Sequence, residues 1–291
     1  MQATDKIILG TVQFGLEYGI NNNSGQPTQL QANEMLSVAY NAGIRVLDTA
    51  EAYGNAHFVI GEFHKNYPDQ LFKVITKLPH YIDEDIEVKI EKYLNDLYVS
   101  ELNGLLFHSY KTYKENKASI PLLNDYKRSG KVKNIGVSIY TNEEMEEVIK
   151  DENIDVIQLP FNLFDNMNLR GDVLKEAKEC GKIIHTRSAF LQGLFFAPLD
   201  KESKAIRNLT QELKYLHTIS KDYQTSIQNM ALNYCLQQSD IDNVLIGVDN
   251  LIQLNQNLID SKKCIPVELV EKINEIHIKE IELLNPSLWK Q

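Results

Sequence analysis

Short apolar runs alternate with longer amphipathic stretches along most of the chain. The runs are rich in β-branched residues, and continuous apolar runs of this length are typical of strands buried on both faces in a parallel sheet. The stretches between them have the apolar spacing expected for helices. The runs predicted to be strands are Lys6–Thr11, Arg45–Asp48, Lys73–Lys77, Leu102–His108, Lys133–Ser138, Val156–Gln158, Ile183–Arg187 and Asn243–Gly247.

Several of the intervening helices carry start and stop signals. Thr28 and Gln31 have the spacing of a capping box, and Thr141 and Glu144 repeat it further along the chain. Glycine often ends a helix because it adopts a left-handed backbone without steric cost. The glycines expected to end helices here are Gly43, Gly130 and Gly181.

Eight strands that alternate with helices fit two architectures, a closed barrel and a doubly wound open sheet. The number of strands and the absence of a GxGxxG fingerprint favour the barrel. The predicted fold class is therefore α/β, a (β/α)8 TIM barrel, with residues 1–291 forming a single domain.

Composition limits the partners and the compartment. The net charge of −10 gives a surface that repels nucleic acid and anionic membranes, so neither is expected as a partner. No leader peptide or membrane span is recognised, and the three cysteines are widely spaced, which together favour the cytoplasm. No Cys/His spacing typical of zinc and no HExxH motif occurs, so no metal is expected.

The carboxyl-terminal stretch Val267–Leu284 has helical spacing of Val270, Ile273, Ile276 and Ile281. A helix there would pack on the barrel, close over its mouth or form a dimer surface. The pattern leaves these alternatives open, so both a monomer and a homodimer are compatible with the sequence.

Polar side chains follow three successive predicted strands. Asp48 ends the second strand and Tyr53 follows it closely, Lys77 ends the third, and His108 ends the fourth. Active sites of (β/α)8 barrels lie at the carboxyl ends of the strands. We therefore expect these four side chains to meet in one mouth.

This set of groups has a chemical logic. Reduction of a carbonyl needs a hydride donor and a proton donor, and a tyrosine can donate a proton if a nearby ammonium lowers its pKa from about 10. A carboxylate can hold that ammonium in place, and an imidazole can orient the substrate oxygen. Taken singly, each residue is more typical of a structural role: a mouth residue, half an ion pair, or a core histidine. The combination indicates acid–base chemistry on a carbonyl.

At these residues the sequence resembles the aldo-keto reductase family, and the resemblance runs through nearly the whole chain. The segments that carry it are LGTVQFG (Leu9–Gly15), LDTAEAYGN (Leu47–Asn55), VITKLP (Val74–Pro79), LLFHSY (Leu105–Tyr110), NIGVS (Asn134–Ser138), VIQLPFN (Val156–Asn162), TRSAFLQGL (Thr186–Leu194) and LIGVDNLIQLNQN (Leu245–Asn257).

The resemblance implies an NAD(P)H-dependent reductase that acts on a small carbonyl substrate. Tyr53 would be the general acid with its pKa lowered by Lys77, Asp48 would bond to Lys77, and His108 would orient the carbonyl. Asp48 would also lie near the nicotinamide ribose. The resemblance implies that the cofactor is held by Gly10, Thr11, Asp48, Ser138, Gln158, Arg187, Ser188, Gln192, Gly193, Leu194, Gly247, Gln253 and Asn257.

The chain departs from the family pattern at several positions. Ile139 stands where an asparagine often follows the fifth strand, and Ala56 and His57 replace a usual Ser-Glu. We expect His57 to lie at a solvated helix start, with a place at the mouth as the alternative. Arg187 takes the position at which many relatives place an aromatic ring against the nicotinamide.

Another departure concerns the cofactor. Relatives that prefer the phosphorylated cofactor often place Lys, Arg or Ser against its 2′-phosphate, whereas this chain has Gly247, Val248 and Gln253, with Asp249 adding a negative charge. A carboxylate beside a phosphate lowers affinity. The family favours NADPH, and Asp249 makes NADH a serious rival.

Two further functions stay open at this point. One is a regulatory protein that binds the cofactor without significant turnover, and the other is an epimerase-like enzyme with tightly bound nicotinamide. The loop Tyr18–Pro27 and the RSAFLQG segment also resemble a bacterial branch associated with polysaccharide and amino-sugar synthesis, which suggests a sugar-derived carbonyl.

Overall fold

Eight short strands run parallel and close into a barrel. The computed structural model describes residues 3–19, 22, 25–199 and 203–289. The strands are β1 (Ile7–Gly10), β2 (Val46–Asp48), β3 (Lys73–Leu78), β4 (Gly104–Phe107), β5 (Ile135–Ser138), β6 (Val156–Pro160), β7 (Ile183–Arg187) and β8 (Asn243–Gly247).

Each strand pairs with the next along the chain, and β8 returns to pair with β1. The closing register places Ile8 opposite Leu245 and Gly10 opposite Gly247. All eight predicted runs contain a strand, and only the strand ends differ from the prediction. The predicted (β/α)8 barrel is therefore confirmed.

Helices follow the strands and surround the barrel. Both predicted capping boxes are present, at Thr28 with Gln31 and at Thr141 with Glu144. The helices are α1 (Val12–Gly15), α2 (Gln29–Asn41), α3 (Ala56–Asn66), α4 (Ile86–Leu97), α5 (Tyr110–Glu115), α6 (Ile120–Arg128), α7 (Asn142–Ile149), α8 (Met167–Glu179), α9 (Lys204–Asn208), α10 (Thr210–Asp222), α11 (Ile227–Leu236), α12 (Leu251–Asp260) and α13 (Val267–Asn274).

The barrel interior is filled below its mouth by Ile8, Ile75 and Leu106, which form a small apolar cluster of their own. Side chains alternate along a strand, so the residue two positions later again points inward. That residue is Gly10 after Ile8, Lys77 after Ile75 and His108 after Leu106. The alternation therefore places an apolar layer directly beneath a polar one.

Gly136 makes this close packing of the interior strands sterically feasible. A Cβ at this position would lie 2.7 Å from the Val156 carbonyl oxygen and 2.9 Å from Leu106 Cγ. These approaches are shorter than real Cβ contacts, so a larger residue would push β5 away from β4 or β6.

The carboxyl-terminal stretch differs from the prediction in length. Helix α13 ends at Asn274, and Ile281, expected on its apolar face, is 53 % exposed. The carbonyls of Ile273 and Ile276 accept hydrogen bonds from the Asn166 side chain at 2.9 and 3.0 Å. This tertiary contact anchors the chain to the start of α8 where the helical pattern would otherwise continue.

Within the described ranges, no helix combines the length and the apolar content needed to cross a bilayer. The same residues contain no group of three or more His, Cys, Asp or Glu side chains arranged to hold a metal ion. Cys180, Cys235 and Cys264 are all free thiols.

Candidate active site

A cavity of about 660 Å³ lies at the carboxyl ends of the strands. Every residue predicted from the sequence for the site lines this cavity, with the exception of Leu194. The side chain of Leu194 is fully buried in the apolar core instead. The strand ends and the loops that follow them thus bring the predicted residues together.

Asp48 and Lys77 form an ion pair at the base of the mouth. Lys77 Nζ donates to Asp48 Oδ1 and also to the Thr49 carbonyl oxygen at 3.0 Å. Both side chains are almost fully buried. Burial is the largest single influence on Lys77 and lowers its pKa, but the charge and hydrogen bond of Asp48 together with Tyr53 outweigh it, and the pKa stays above its usual value. Lys77 is therefore an ammonium at neutral pH.

Asp48 joins four strands of the barrel through its other contacts. Its second carboxylate oxygen accepts from Gln158 Nε2 at 2.8 Å. Its backbone carbonyl accepts from the backbone N–H of Thr11 and from Thr11 Oγ1, both at 3.0 Å. The residue on β2 thereby links β1, β3 and β6.

The loop after β2 places Tyr53 at the mouth, and two glycines permit its close approach to α1. A Cβ on Gly15 would lie 1.7 Å from the Tyr53 carbonyl oxygen, and one on Gly54 would lie 2.3 Å from the Gly15 oxygen. Gly54 also has a φ of +54°, in the left-handed region that favours glycine. These contacts fix the height of Tyr53 above the barrel.

The Tyr53 phenol lies beside the buried ammonium. Lys77 Nζ is 5.2 Å from the centre of the Tyr53 ring. Burial raises the pKa of Tyr53, and the Lys77 charge lowers it without cancelling the effect of burial, so the net lowering expected from the sequence is not found. The phenol is therefore protonated at neutral pH and can donate its proton.

His108, which directly follows β4, contacts the Tyr53 ring. The His108 and Tyr53 rings meet edge to face, with their centres 5.7 Å apart. Burial and the nearby charge of Lys77 lower the pKa of His108 to about 2, so the imidazole is neutral. His80 stacks on it at 4.4 Å. A neutral imidazole keeps one N–H, which can be donated to a substrate oxygen.

Ser138 and Gln158 line the cavity from β5 and β6. The bond to Asp48 fixes the Gln158 amide with its nitrogen toward Asp48. Its oxygen is buried and has no hydrogen-bond partner among the described residues. A buried acceptor without a partner costs free energy, which a ligand that carries an N–H would recover.

The segment after β7 has an unusual backbone. Ser188, Leu191, Gln192 and Gly193 all have φ between +46° and +89°. Gln192 Nε2 donates to the Tyr18 hydroxyl at 2.5 Å, which connects this segment to the loop after β1. Left-handed turns of this kind point successive backbone N–H groups to one side and form concave sites for anions.

The far end of the cavity carries amide and carboxylate groups. Asp249 accepts from Gln253 Nε2 at 3.0 Å and from Gln13 Nε2 at 3.4 Å. Gln228 Nε2 donates to Asn257 Oδ1 at 2.8 Å. Asp249 is the charged group at this end of the described lining, so an additional anion there would be repelled.

Glu51 braces the Tyr53 loop from outside the cavity. It accepts from Lys89 Nζ at 3.0 and 3.3 Å and from the Tyr93 hydroxyl, both on α4. Its backbone N–H donates to the Lys77 carbonyl oxygen at 3.2 Å. Because Glu51 lies between Asp48 and Tyr53 in the chain, this anchor restrains the loop that carries the phenol.

His57 lies neither on a solvated helix start nor at the mouth. It is buried behind the Tyr53 loop, bonds to Thr76 Oγ1 at 2.8 Å and packs edge-on against Tyr93. Both sequence expectations for this residue were therefore wrong. The packing of α3 on α4 buries the first turn of α3.

Acid is expected to destabilise the protein through such buried histidines. Burial lowers the pKa of His57 to about 4, below the value of about 6.5 for the unfolded chain. The unfolded state therefore binds the proton first, and stability present above pH 6.5 is lost as the pH falls toward 4. From His57 alone, the free energy of unfolding should fall by about 2 kcal/mol between pH 6.5 and 5.

Urea denaturation at the two pH values measures this loss. The variant His57→Gln, which cannot titrate, should show a smaller loss, whereas exposed His217→Gln should match the parent. An equal loss in all three proteins would contradict a neutral His57.

Several cavity residues were not found from the sequence: Tyr18, His80, Tyr140 and Gln228. His80 and Tyr140 each stand two positions beyond a strand end, which is only a weak signal in the sequence. Tyr18 and Gln228 come from a loop and a helix, and the pattern does not place either at the mouth.

Comparisons with known proteins find similarity over most of the chain. The model of the aldo/keto reductase family matches residues 6–278. A curated relative, the NADH-specific methylglyoxal reductase of Escherichia coli (strain K12), is 21 % identical over an alignment 281 positions long, and the match covers 81 % of this chain and 86 % of that protein.

Solved structures share the fold at low sequence identity. An aldo-keto reductase from Bacillus halodurans in its holo form has a TM-score of 0.77 at 18 % identity, covering 93 % of this chain and 91 % of that one. The glycerol dehydrogenase of Gluconobacter oxydans has a TM-score of 0.73 at 19 % identity, covering 93 % and 90 %.

Proposed function

Since the chain belongs to the aldo/keto reductase family, we propose that it reduces an aldehyde or ketone to an alcohol with Tyr53 as the proton donor. The family makes it an NAD(P)H-dependent oxidoreductase that acts on small carbonyl compounds. One observation carries the role of Tyr53: its phenol lies beside the Lys77 ammonium and edge-on to a neutral His108 in one cavity.

The cavity residues fit a nicotinamide dinucleotide. The unpartnered oxygen of Gln158, together with Ser138, would hold the nicotinamide carboxamide. The left-handed segment Ser188–Gly193 would bind the pyrophosphate, and Gly247 and Asn257 would lie along the adenosine. When bound, the cofactor supplies the hydrogen and the electron pair that reduce the carbonyl carbon.

The side chains supply the proton and the orientation. Tyr53 transfers its hydroxyl proton to the carbonyl oxygen, whose charge develops as the carbon is reduced. The Lys77 ammonium stabilises the phenolate that remains, and Asp48 holds Lys77 in place. The His108 N–H donates a hydrogen bond to the same oxygen and directs it toward Tyr53.

We further propose NADH as the preferred cofactor, although the family as a whole favours NADPH. Asp249, held by Gln253 and Gln13, would face the 2′-position of the adenosine ribose. A carboxylate there can accept from a 2′-hydroxyl but repels a 2′-phosphate. The printed name of the Escherichia coli relative, an NADH-specific enzyme, supports the same preference.

The variant Asp249→Ser is expected to weaken this preference. Removing the carboxylate should lower the ratio of the NADPH Kd to the NADH Kd by about tenfold, which corresponds to about 1.4 kcal/mol. Quenching of protein fluorescence on titration with each cofactor measures both constants. Asp222→Ser removes an exposed charge from α10 and should leave the ratio unchanged. An unchanged ratio in Asp249→Ser would contradict the assignment.

Turnover by the purified protein tests the reductase itself. Oxidation of NADH and NADPH is followed by absorbance against methylglyoxal, other aldehydes and keto-sugars, because the sequence suggests a sugar-derived carbonyl. Turnover that depends on a carbonyl substrate supports the proposal. Cofactor binding without turnover would indicate a regulatory protein, and nicotinamide that survives purification would indicate an epimerase-like enzyme.

A further inference from the structure

Arg187 presents a guanidinium to the cavity from the end of β7. Its Nη2 donates to the Ile139 carbonyl oxygen at 3.2 Å, and Nη1 lies 3.5 Å from Ser188 Oγ. The guanidinium carbon is 4.3 Å from the centre of the Tyr140 ring. The guanidinium thus contacts a carbonyl, a hydroxyl and an aromatic ring, all of which are uncharged.

The carboxylates near Arg187 are engaged elsewhere. Asp48 is bound by Lys77 and Gln158. Asp165, buried in the loop after β6, accepts two hydrogen bonds from Arg170 at 2.6 and 2.9 Å. No carboxylate of the described residues lies within ion-pair distance of Arg187. Among the described lining residues, Arg187 is thus a full positive charge without a carboxylate partner.

The position of this charge is close to the reacting groups. By reaching the Ile139 carbonyl, the Arg187 side chain extends past β6 toward the end of β5. Its charge lowers the pKa values of Tyr53 and His108, although burial is the largest influence on both. Asp249, by contrast, lies with Gln253 at the far end of the cavity.

An unpaired guanidinium favours a specific kind of ligand. Its planar fork of N–H donors matches the two oxygens of a carboxylate or phosphate. A neutral ligand that filled the cavity would strip water from Arg187 without replacing it, and an anionic ligand would supply the missing charge.

We propose that Arg187 binds a carboxylate or phosphate carried by the substrate, so that the preferred substrates are anionic carbonyl compounds such as oxo acids. This inference rests on the proposed reductase function and adds the charge of its substrate. The phosphates of the cofactor are the other source of the same chemistry, and substrates with and without a carboxylate separate the two.

Matched substrates isolate the contribution of the charge. Succinic semialdehyde and methyl 4-oxobutanoate carry the same aldehyde and differ in the carboxylate, as do 4-carboxybenzaldehyde and its methyl ester. In at least one of the two pairs, the parent protein is expected to have a kcat/KM for the acid at least about tenfold higher than for the ester. A factor of this size corresponds to one charged hydrogen bond.

Variants then assign the preference to one residue. Arg187→Met should bring the acid-to-ester ratio close to one, and Arg187→Lys should retain part of it. Arg128→Met, which removes an exposed charge from α6, serves as the control and should keep the full ratio. Because the readout is a ratio, a general loss of structure or activity would not imitate the expected result.

Binding supplies a second readout that does not need turnover. Calorimetry of each acid and ester with Tyr53→Phe protein, in the presence of NADH, should give the same preference and its loss in Tyr53→Phe/Arg187→Met. If neither turnover nor binding shows a preference for the acid, the inference is overturned.

The inference is equally overturned if Arg187→Met keeps the acid-to-ester ratio of the parent while its Kd for NADH rises tenfold or more, because Arg187 would then bind the cofactor. Turnover of the esters without acid preference leaves the reductase intact, whereas absence of all turnover overturns the proposed function.

Discussion

The variant Tyr53→Phe is expected to lower kcat by about 10²-fold to 10⁴-fold, the range for loss of a general acid. The substitution removes one oxygen and keeps the ring, so its contact with His108 and its place beside Lys77 should persist. The Kd for NADH should change by less than about threefold, because the phenol proton serves the substrate. Steady-state oxidation of NADH and a fluorescence titration measure the two quantities.

A control for this variant is Tyr81→Phe, which alters a largely exposed tyrosine outside the cavity and should keep full activity. Retention of more than about a tenth of the parent kcat in Tyr53→Phe would mean that another group delivers the proton. Replacement of His108 by Gln would then be the informative next variant, since the His108 ring contacts the Tyr53 ring edge to face.

The variant Lys77→Met is expected to cost both stability and activity. It removes the cation of a buried ion pair and leaves the Asp48 carboxylate buried with Gln158 and backbone groups. Breaking a buried pair by removal of one partner costs about 3–5 kcal/mol. Urea denaturation at pH 7 measures this loss, and kcat should fall as well, because no charge remains to stabilise the Tyr53 phenolate.

A double-mutant cycle measures the interaction energy between Asp48 and Lys77. Asp48→Asn/Lys77→Met removes both charges, so its loss of stability should be smaller than the sum for the single variants. Lys65→Met, from an exposed pair with Glu62, should cost less than about 1 kcal/mol. A loss of that same size in Lys77→Met, or strict additivity in the cycle, would contradict a stabilising pair.

The sequence predicts the barrel well because both faces of a parallel strand are buried. The runs that became β7 and β8 are matched to the residue, and Asp48, Lys77 and His108 lie at the mouth because each stands at a strand end. Side-chain alternation is a local property, so a short stretch of sequence is enough to reveal it.

The sequence does not predict the parts of the site that depend on contacts between distant segments. Tyr18 reaches the cavity through a bond to Gln192, and His80 by stacking on His108, and a linear pattern records neither contact. His57 is buried because α4 packs over it. Leu194 follows three left-handed residues, and that turn directs its side chain into the core rather than the cavity.

The bonds of Asp48 to three other strands have a consequence for how this chain can diverge over evolutionary time. A descendant that no longer needed the reaction would still lose about 3–5 kcal/mol of stability if only one member of the Asp48–Lys77 pair were replaced, so selection on stability would oppose either single loss. His108, whose Nδ1 has no partner among the described residues, adds no such hydrogen bond and would be free to drift. In relatives of this chain, His108 and the Tyr53 hydroxyl should therefore reveal retained activity better than the more conspicuous Asp48 and Lys77.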